Sequence, residues 1–351
     1  MDEQLSTTRS RRLLKSLIQE YIQTGEPVGS RRLSKLSEEG LSAATIRNMM
    51  ADLEGDGLVC QPHPSAGRVP TEKGYRFYVD VLLEKASLYG QDISEINRTL
   101  QDGDPSAEDL MMRASRVLSS ASNNVGFVIT PPMSQMGLKH AEFLRLGKRK
   151  VLVILVGQSG TVQNRVAQLD DDMTQQELDF AGRYIVTNFY GLTLPCIRRK
   201  LLQLMTKEKA LYDTMLQKVI KVGTAGLGDK EKEAEGNVYV EGTARLMRNP
   251  EFTDVKQMIE IFEMFEQKSH LVKIISECIR DDVAAGTKVT IGLESSAPGT
   301  NNFAMVVSPY TNGDQSVGRL GILGPKRMEY ARAIPLVDYV AKVFEGILNK
   351  N

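Results

Sequence analysis

At 351 residues the chain is long enough for two or three domains, each with its own core. Its 44 Lys plus Arg balance 44 Asp plus Glu, and residues 1–80 also balance, with 11 of each sign, so net charge neither points to nucleic acid nor excludes it. The longest purely apolar run, residues 151–156, is too short to cross a bilayer, and the first residues lack the apolar segment of a secretory signal. Cys60, Cys196 and Cys278 are too far apart for a zinc site or a disulfide framework, so a cytoplasmic protein with reduced thiols is expected.

In chain order, residues 6–24 predict a first helix, with Leu13, Leu14, Leu17, Ile18, Tyr21 and Ile22 forming a broad buried face and Gly25 ending it. Ser30 is expected to cap a short second helix carrying Arg31 and Arg32 in its first turn, where backbone amides also face a phosphate. Ser42 is the expected N-cap of a third helix, with Leu41 and Ile46 as a hydrophobic staple. Ile46, Met49, Met50 and Leu53 then share one apolar face. The opposite face begins with Ala44, Arg47 and Asn48, with Ala43 and Thr45 beside it. Small residues permit close approach to a groove floor, Arg pairs with guanine and Asn with adenine.

Residues 58–61 and 68–69 predict a two-stranded wing turned by Pro62, Pro64 and Gly67. Its tip offers Ser65, Ala66, Gly67 and Arg68 for backbone contact, and His63 suits contact with a phosphate or a base edge and shaping of the turn equally well. Thr71 is expected to cap a linker helix running to about Gly90, and residues 92–100 add another turn or two of helix. Helix, helix, turn, helix, wing is the order of a winged helix-turn-helix.

The run SAATIRNMMADLEGDGL followed by PHPSAGRVPTEKGYRFYVD resembles the HrcA-type heat-inducible transcription repressors of bacteria, and GRLGILGPKRMEYARAIPLVDYVA near the C-terminus resembles the same family. The resemblance implies a dimer that binds an inverted-repeat operator known as CIRCE, upstream of chaperone operons. It also implies relief of repression by heat, and the chaperonin GroEL as a partner. A GAF-like α+β domain and an inserted dimerisation domain are implied beyond the DNA-binding unit.

The breaker cluster QDGDP places a boundary near residue 104. Residues 106–122 predict an amphipathic helix, and 125–130, 141–146, 150–156 and 161–168 predict strands, with 150–156 central and buried on both faces. Residues 288–293, 303–309 and 317–323 predict further strands, before a helix from Lys326 that Pro335 kinks or restarts. The expected division is 1–104 for the DNA-binding domain and linker, 105–173 with 283–351 for the GAF-like domain, and 174–282 for a helical insertion containing a lone strand at 238–240. Two of its helices are expected to carry Met258, Ile261, Phe262, Phe265, Leu271, Ile274, Ile275 and Ile279.

Other motifs carry little. Residues 223–230, GTAGLGDK, lack the Lys-Ser/Thr ending of a phosphate loop and read as a helix-to-helix connection. Asp170, Asp171 and Asp172 read as charges complementing a helix start rather than as a metal site. With no catalytic motif, metal or cofactor expected, the reading is a repressor of double-stranded DNA targets with Arg31, Arg32, Ser42, Ala43, Ala44, Thr45, Arg47, Asn48, His63, Ser65 and Arg68 at the interface. The alternative is a small-molecule-gated regulator with the GAF-like domain as sensor.

Overall fold

The computed structural model describes residues 8–37, 39–83, 88, 90–103, 106–158, 160–205, 214–226, 237–247, 259, 286–292, 300–312 and 315–349. The helices expected over residues 258–279 lie outside the described residues except for Ile259.

The N-terminal head is built from α1 (Thr8–Thr24), α2 (Ser30–Leu36) and α3 (Ala43–Gly55), followed by strands β1 (Val59–Cys60) and β2 (Val69–Pro70) and by α4 (Glu72–Phe77). Leu14, Leu17 and Ile18 of α1, Leu33 of α2, and Ile46, Met50 and Leu53 of α3 converge in its centre. Gly29, not Ser30, occupies the N-cap of α2 and offers no side-chain bond. Gly57 leaves α3 at φ +72°, a conformation a side chain would strain. The linker helix is much shorter than expected: α4 gives way to a wider π turn over Tyr78–Leu82, ending where Leu83 becomes extended. Ile46 is fully buried among both other helices. Ile46→Ala should therefore lower unfolding stability by about 2–5 kcal/mol, read by chemical denaturation.

Beyond the head, α5 (Gly90–Gln101) and α6 (Ala107–Ser122) lead into a five-stranded antiparallel sheet. Its strands are β3 (Val125–Ile129), β7 (Val238–Glu241), β8 (Lys288–Ile291), β9 (Phe303–Asn312) and β10 (Gln315–Pro325), in spatial order β7-β3-β10-β9-β8. The short helix α10 (Thr243–Met247) follows β7, and α11 (Tyr330–Leu348) and α6 pack on the sheet through Leu336, Val337, Val340, Phe344, Leu110, Ala114 and Leu118. Alternate strand residues such as Phe127, Phe303, Met305 and Leu323 are also buried, so both faces of the sheet are covered. The segment 238–240 is not a lone strand: β7 pairs with β3, with Phe127 opposite Val240. Pro335 lies inside α11, which starts at Tyr330 rather than at Lys326.

Strands β4 (Leu138–Gly147), β5 (Lys150–Gly157) and β6 (Val162–Gln168) form a separate three-stranded antiparallel sheet. One face packs on α7 (Gln175–Phe189), α8 (Leu194–Met205) and α9 (Thr214–Gly226), giving a second core that includes Phe143, Val153, Leu155, Ile185 and Ile220. A division at residue 173 therefore does not follow the cores, since these strands share one with the helices after it. Nor is β5 buried on both faces. Val151, Val153 and Leu155 are buried, whereas Leu152, Ile154 and Val156 are only half-buried.

The head is docked on the five-stranded unit. Arg327 donates from Nη1 to the Ile22 carbonyl at 3.1 Å, and Lys326 pairs with Glu72. The Tyr75 and Tyr330 rings lie 6.0 Å apart. Helix α5, expected with the head, is tied to α11 through Asp92–Arg332 at 3.3 Å and the Asn97 amide to Tyr339 at 2.9 Å.

Candidate nucleic-acid interface

Helix α3 is divided lengthwise by its sequence. Ile46, Met50 and Leu53 are buried, while Ala44, Thr45, Arg47 and Asn48 are exposed. Ser42 performs the capping role: its Oγ accepts the Thr45 amide at 3.1 Å and lies 3.0 Å from the Thr45 hydroxyl. Ser42 and half-buried Ala43 thus set the start of the helix, and the exposed quartet is left to face a ligand. Among the described residues, no hydrogen bond or ion pair engages the Arg47 or Asn48 side chain, so their donors and acceptors are available to base edges.

The wing is braced at its base and its tip. Val28 and Arg68 exchange two backbone hydrogen bonds of 2.9 Å, adding the α1–α2 connector to the β1–β2 pair. Gly67 is required by that approach, because a Cβ there would lie 2.4 Å from the Val28 carbonyl. At the tip, the Gln61 amide donates to the carbonyls of Pro64 at 2.9 Å and Ala66 at 3.0 Å. The His63 carbonyl accepts the Ala66 amide at 2.9 Å, so its backbone shapes the turn while its ring, like Ser65, stays exposed. Thr71 caps α4, as its sequence position predicts, through the Gly74 amide at 3.1 Å.

The three arginines expected to grip the backbone are not equivalent. Arg31 is exposed in the first turn of α2 and has no partner among the described residues. Arg32 donates from Nε to Glu20 at 2.7 Å, with the Glu20 side chain only 9% exposed. Arg68 is held most firmly, with Nη2 and Nε at 2.7 and 2.9 Å from one carboxylate oxygen of Glu54, and only 19% of its side chain is exposed. Arg68 thus ties the wing to the C-terminal end of α3 instead of projecting from the tip. Glu20, Glu54 and Gln61 escape a reading of the sequence. Their partners lie three to fourteen residues away across turns, where no helical or strand period links them.

Elsewhere, no group of three metal-ligating side chains occurs among the described residues. The aspartates before α7 do not cap it. Thr174 and Glu177 form a capping box, and Asp171 and Asp172 instead pair with Lys221 at 2.5 Å and Arg145 at 2.7 Å. Hydrogen bonds from those cations hold both carboxyls below the usual range. Their folded-state pKa values thus lie under the unfolded ones, so their contribution is present above the ordinary carboxylate pKa and lost as pH falls through the lowered values. Lys221→Met should move the Asp171 titration, followed by NMR, back up towards the usual carboxylate range. Gly223–Gly226 finish α9 instead of forming a loop, and residues 227–230 lie outside the described residues.

Residues 4–81 match the family model described as "Winged helix-turn-helix transcription repressor, HrcA DNA-binding", and residues 108–334 match "HrcA protein C terminal domain". The chain is 37% identical over 340 residues to the heat-inducible transcription repressor HrcA of Geobacter sulfurreducens, covering 97% of each. It is 35% identical over 342 residues to the protein of that name from Syntrophobacter fumaroxidans, again covering 97% of each. A crystal structure of a hypothetical protein shares the fold at TM-score 0.60 and 21% identity, over 98% of this chain and 99% of that one.

Proposed function

Since the chain belongs to the HrcA family of winged-helix, DNA-binding transcription repressors, we propose that it represses chaperone operons as a homodimer, with each α3 seated in a major groove of an inverted-repeat operator of the CIRCE type. The observation that carries this reading is the exposed face of α3, where Ala44, Thr45, Arg47 and Asn48 are presented by a helix whose other side is locked into the head. In this arrangement Arg47 and Asn48 read bases, Ala44 and Thr45 meet the groove floor, and Arg31 takes a phosphate. Ser65 and His63 approach the backbone from the wing, whereas Ser42, Ala43, Arg32 and Arg68 position the elements that make contact. A protein that works on the chromosome belongs in the cytoplasm, and among the described residues no helix is long and apolar enough to cross a membrane.

The proposed dimer contact is the outward face of the three-stranded sheet. Leu144, Leu152 and Val166 lie in register across β4, β5 and β6, and Val156 faces Val162. Val162 and Val166 are 59% and 60% exposed, and Leu146 55%. Glu142 and Asn164 flank Ile154 and His140 flanks Val156, so the face is apolar with polar positions among its exposed side chains. Exposed apolar residues on such a face mark an association surface, and a second copy supplies the matching one. Heat relief then follows from weakening that contact, with the two heads uncoupled and the avidity of the second half-site lost. Chaperonin GroEL enters through the maintenance of folded dimer.

Selection of duplexes from a random pool tests the reading. It should enrich an inverted repeat whose half-sites lie about 34–36 Å apart or a multiple of that; enrichment of asymmetric sites, or of none, would refute it. Operator affinity measured against temperature, with and without chaperonin, separates the two routes to heat relief. Loss at the same temperature in both would remove the chaperonin from the mechanism. The small-molecule-gated alternative has one observation in its favour, a cleft of about 500 Å³ between α1 and the start of α11, bordered by Gln19, Gln23, Asn123, Arg327 and Glu329. A thermal shift with a metabolite panel would reveal such gating.

A further inference from the structure

We infer that Glu54 is a positioning residue that sets the specificity of DNA binding, by holding Arg68 on the wing away from phosphate. The inference rests on the DNA-binding reading above and concerns how tightly bulk duplex competes with the operator.

Bulk duplex is bound through its phosphates, so nonspecific affinity grows with each cation that reaches one. The head carries many arginines, yet its basic and acidic side chains balance. The structure shows how that balance is spent. Glu54 Oε2 accepts both Nη2 and Nε of Arg68, at 2.7 and 2.9 Å, in a pair only 19% exposed on the arginine side and 36% on the glutamate side. Glu20 accepts Nε of Arg32 at 2.7 Å, and Glu39 holds Arg9 and Arg12 at 3.1 and 2.5 Å. Arg47, on the exposed face of α3, and Arg31 have no such partner among the described residues. The pairing is selective. Arg9, Arg12, Arg32 and Arg68 are neutralised by neighbouring carboxylates, whereas Arg47, which faces the bases, and Arg31 are not.

Glu54 acts at two points. It cancels the charge of Arg68 in the field of the duplex, and it fixes the wing against the last turn of the helix that reads bases. Specificity is a difference between two affinities, and both effects widen it. Without the carboxylate, Arg68 is released to any phosphate in reach. The wing is released with it from the register that α3 requires, so the operator complex does not gain by the same factor.

The test uses the full chain as wild type, Glu54→Gln, and Glu54→Gln with Arg68→Gln. Each is titrated from 50 to 200 mM salt with a selected operator duplex and with a scrambled duplex of equal length. Glu54→Gln should bind the scrambled duplex on the order of five- to ten-fold more tightly at 0.1 M salt, with a log–log salt slope steeper by about 0.9, the signature of one added phosphate contact. The operator-to-scrambled ratio should fall, and the double variant should return the scrambled affinity and slope to wild-type values. A merely structural role for Glu54 would lower thermal stability without steepening the slope. An unchanged slope for Glu54→Gln, or a gain that survives in the double variant, overturns the inference. Failure of the wild type to prefer any selected duplex would instead sink the DNA-binding reading, which the wild-type titration shows on its own.

Discussion

Replacing Val162 and Val166 together by glutamate should leave the fold intact and lower operator affinity by about 10²–10⁴-fold, the advantage that linking two half-site contacts confers. Both side chains are more than half exposed on β6, so charge at these positions removes no buried packing. In a dimer joined through this face they become buried. Two glutamates per copy would then meet their symmetry mates across an apolar contact, at a desolvation cost that nothing offsets. Sedimentation should show monomer, and a single half-site should be bound as well as by the wild type. If the variant remains dimeric with full operator affinity, the contact lies elsewhere on the chain.

Arg47→Ala or Asn48→Ala should each weaken operator binding by about 1–3 kcal/mol and relax base preference at one position of each half-site. The loss is expected to be local because the two side chains make no hydrogen bond or ion pair within the described protein whose removal would disturb the head. Binding to scrambled duplex should change far less, since a residue that reads a base edge contributes little to backbone affinity. Affinity titrations over a set of operators with single base-pair changes would display the effect. Full affinity and unchanged preference in Arg47→Ala would place the recognition surface on a different face.

These expectations rest on parts of the chain that differ in how plainly the sequence reveals them. Helix α3 is legible because its signals are local: Ser42 at the cap, four apolar residues on one face, small and polar residues on the other. The wing is legible from two prolines and a glycine between short apolar runs, although the demand on Gly67 comes from the Val28 backbone rather than from the turn. The resemblance to a known family brought the function, whereas the expected boundary at residue 173 cuts through a core that β4 to β6 share with the helices after them.

Contacts between segments distant in the chain were not legible. Nothing near Val238 indicates that it will pair beside Ile129, since strand partners depend on where the intervening chain returns. Arg68 and Glu54 are a charge pair only because the wing folds back on α3. For this reason a guanidinium expected to grip phosphate proves to brace the wing. The run 151–156 misled for another reason. An unbroken apolar strand is compatible with burial on both faces within one chain, and equally with burial on one face and association on the other. Leu152, Ile154 and Val156 leave the second arrangement.

The most direct test of two recognition helices joined by one contact is operator phasing. Wild-type affinity would be measured for the selected inverted repeat and for versions with about 5 or about 10 base pairs inserted between half-sites, a half turn or a full turn of duplex. Insertion of a half turn should reduce affinity to that of a single half-site, and a full turn should recover part of the loss. Affinity that ignores the phase of the insertion would contradict the account.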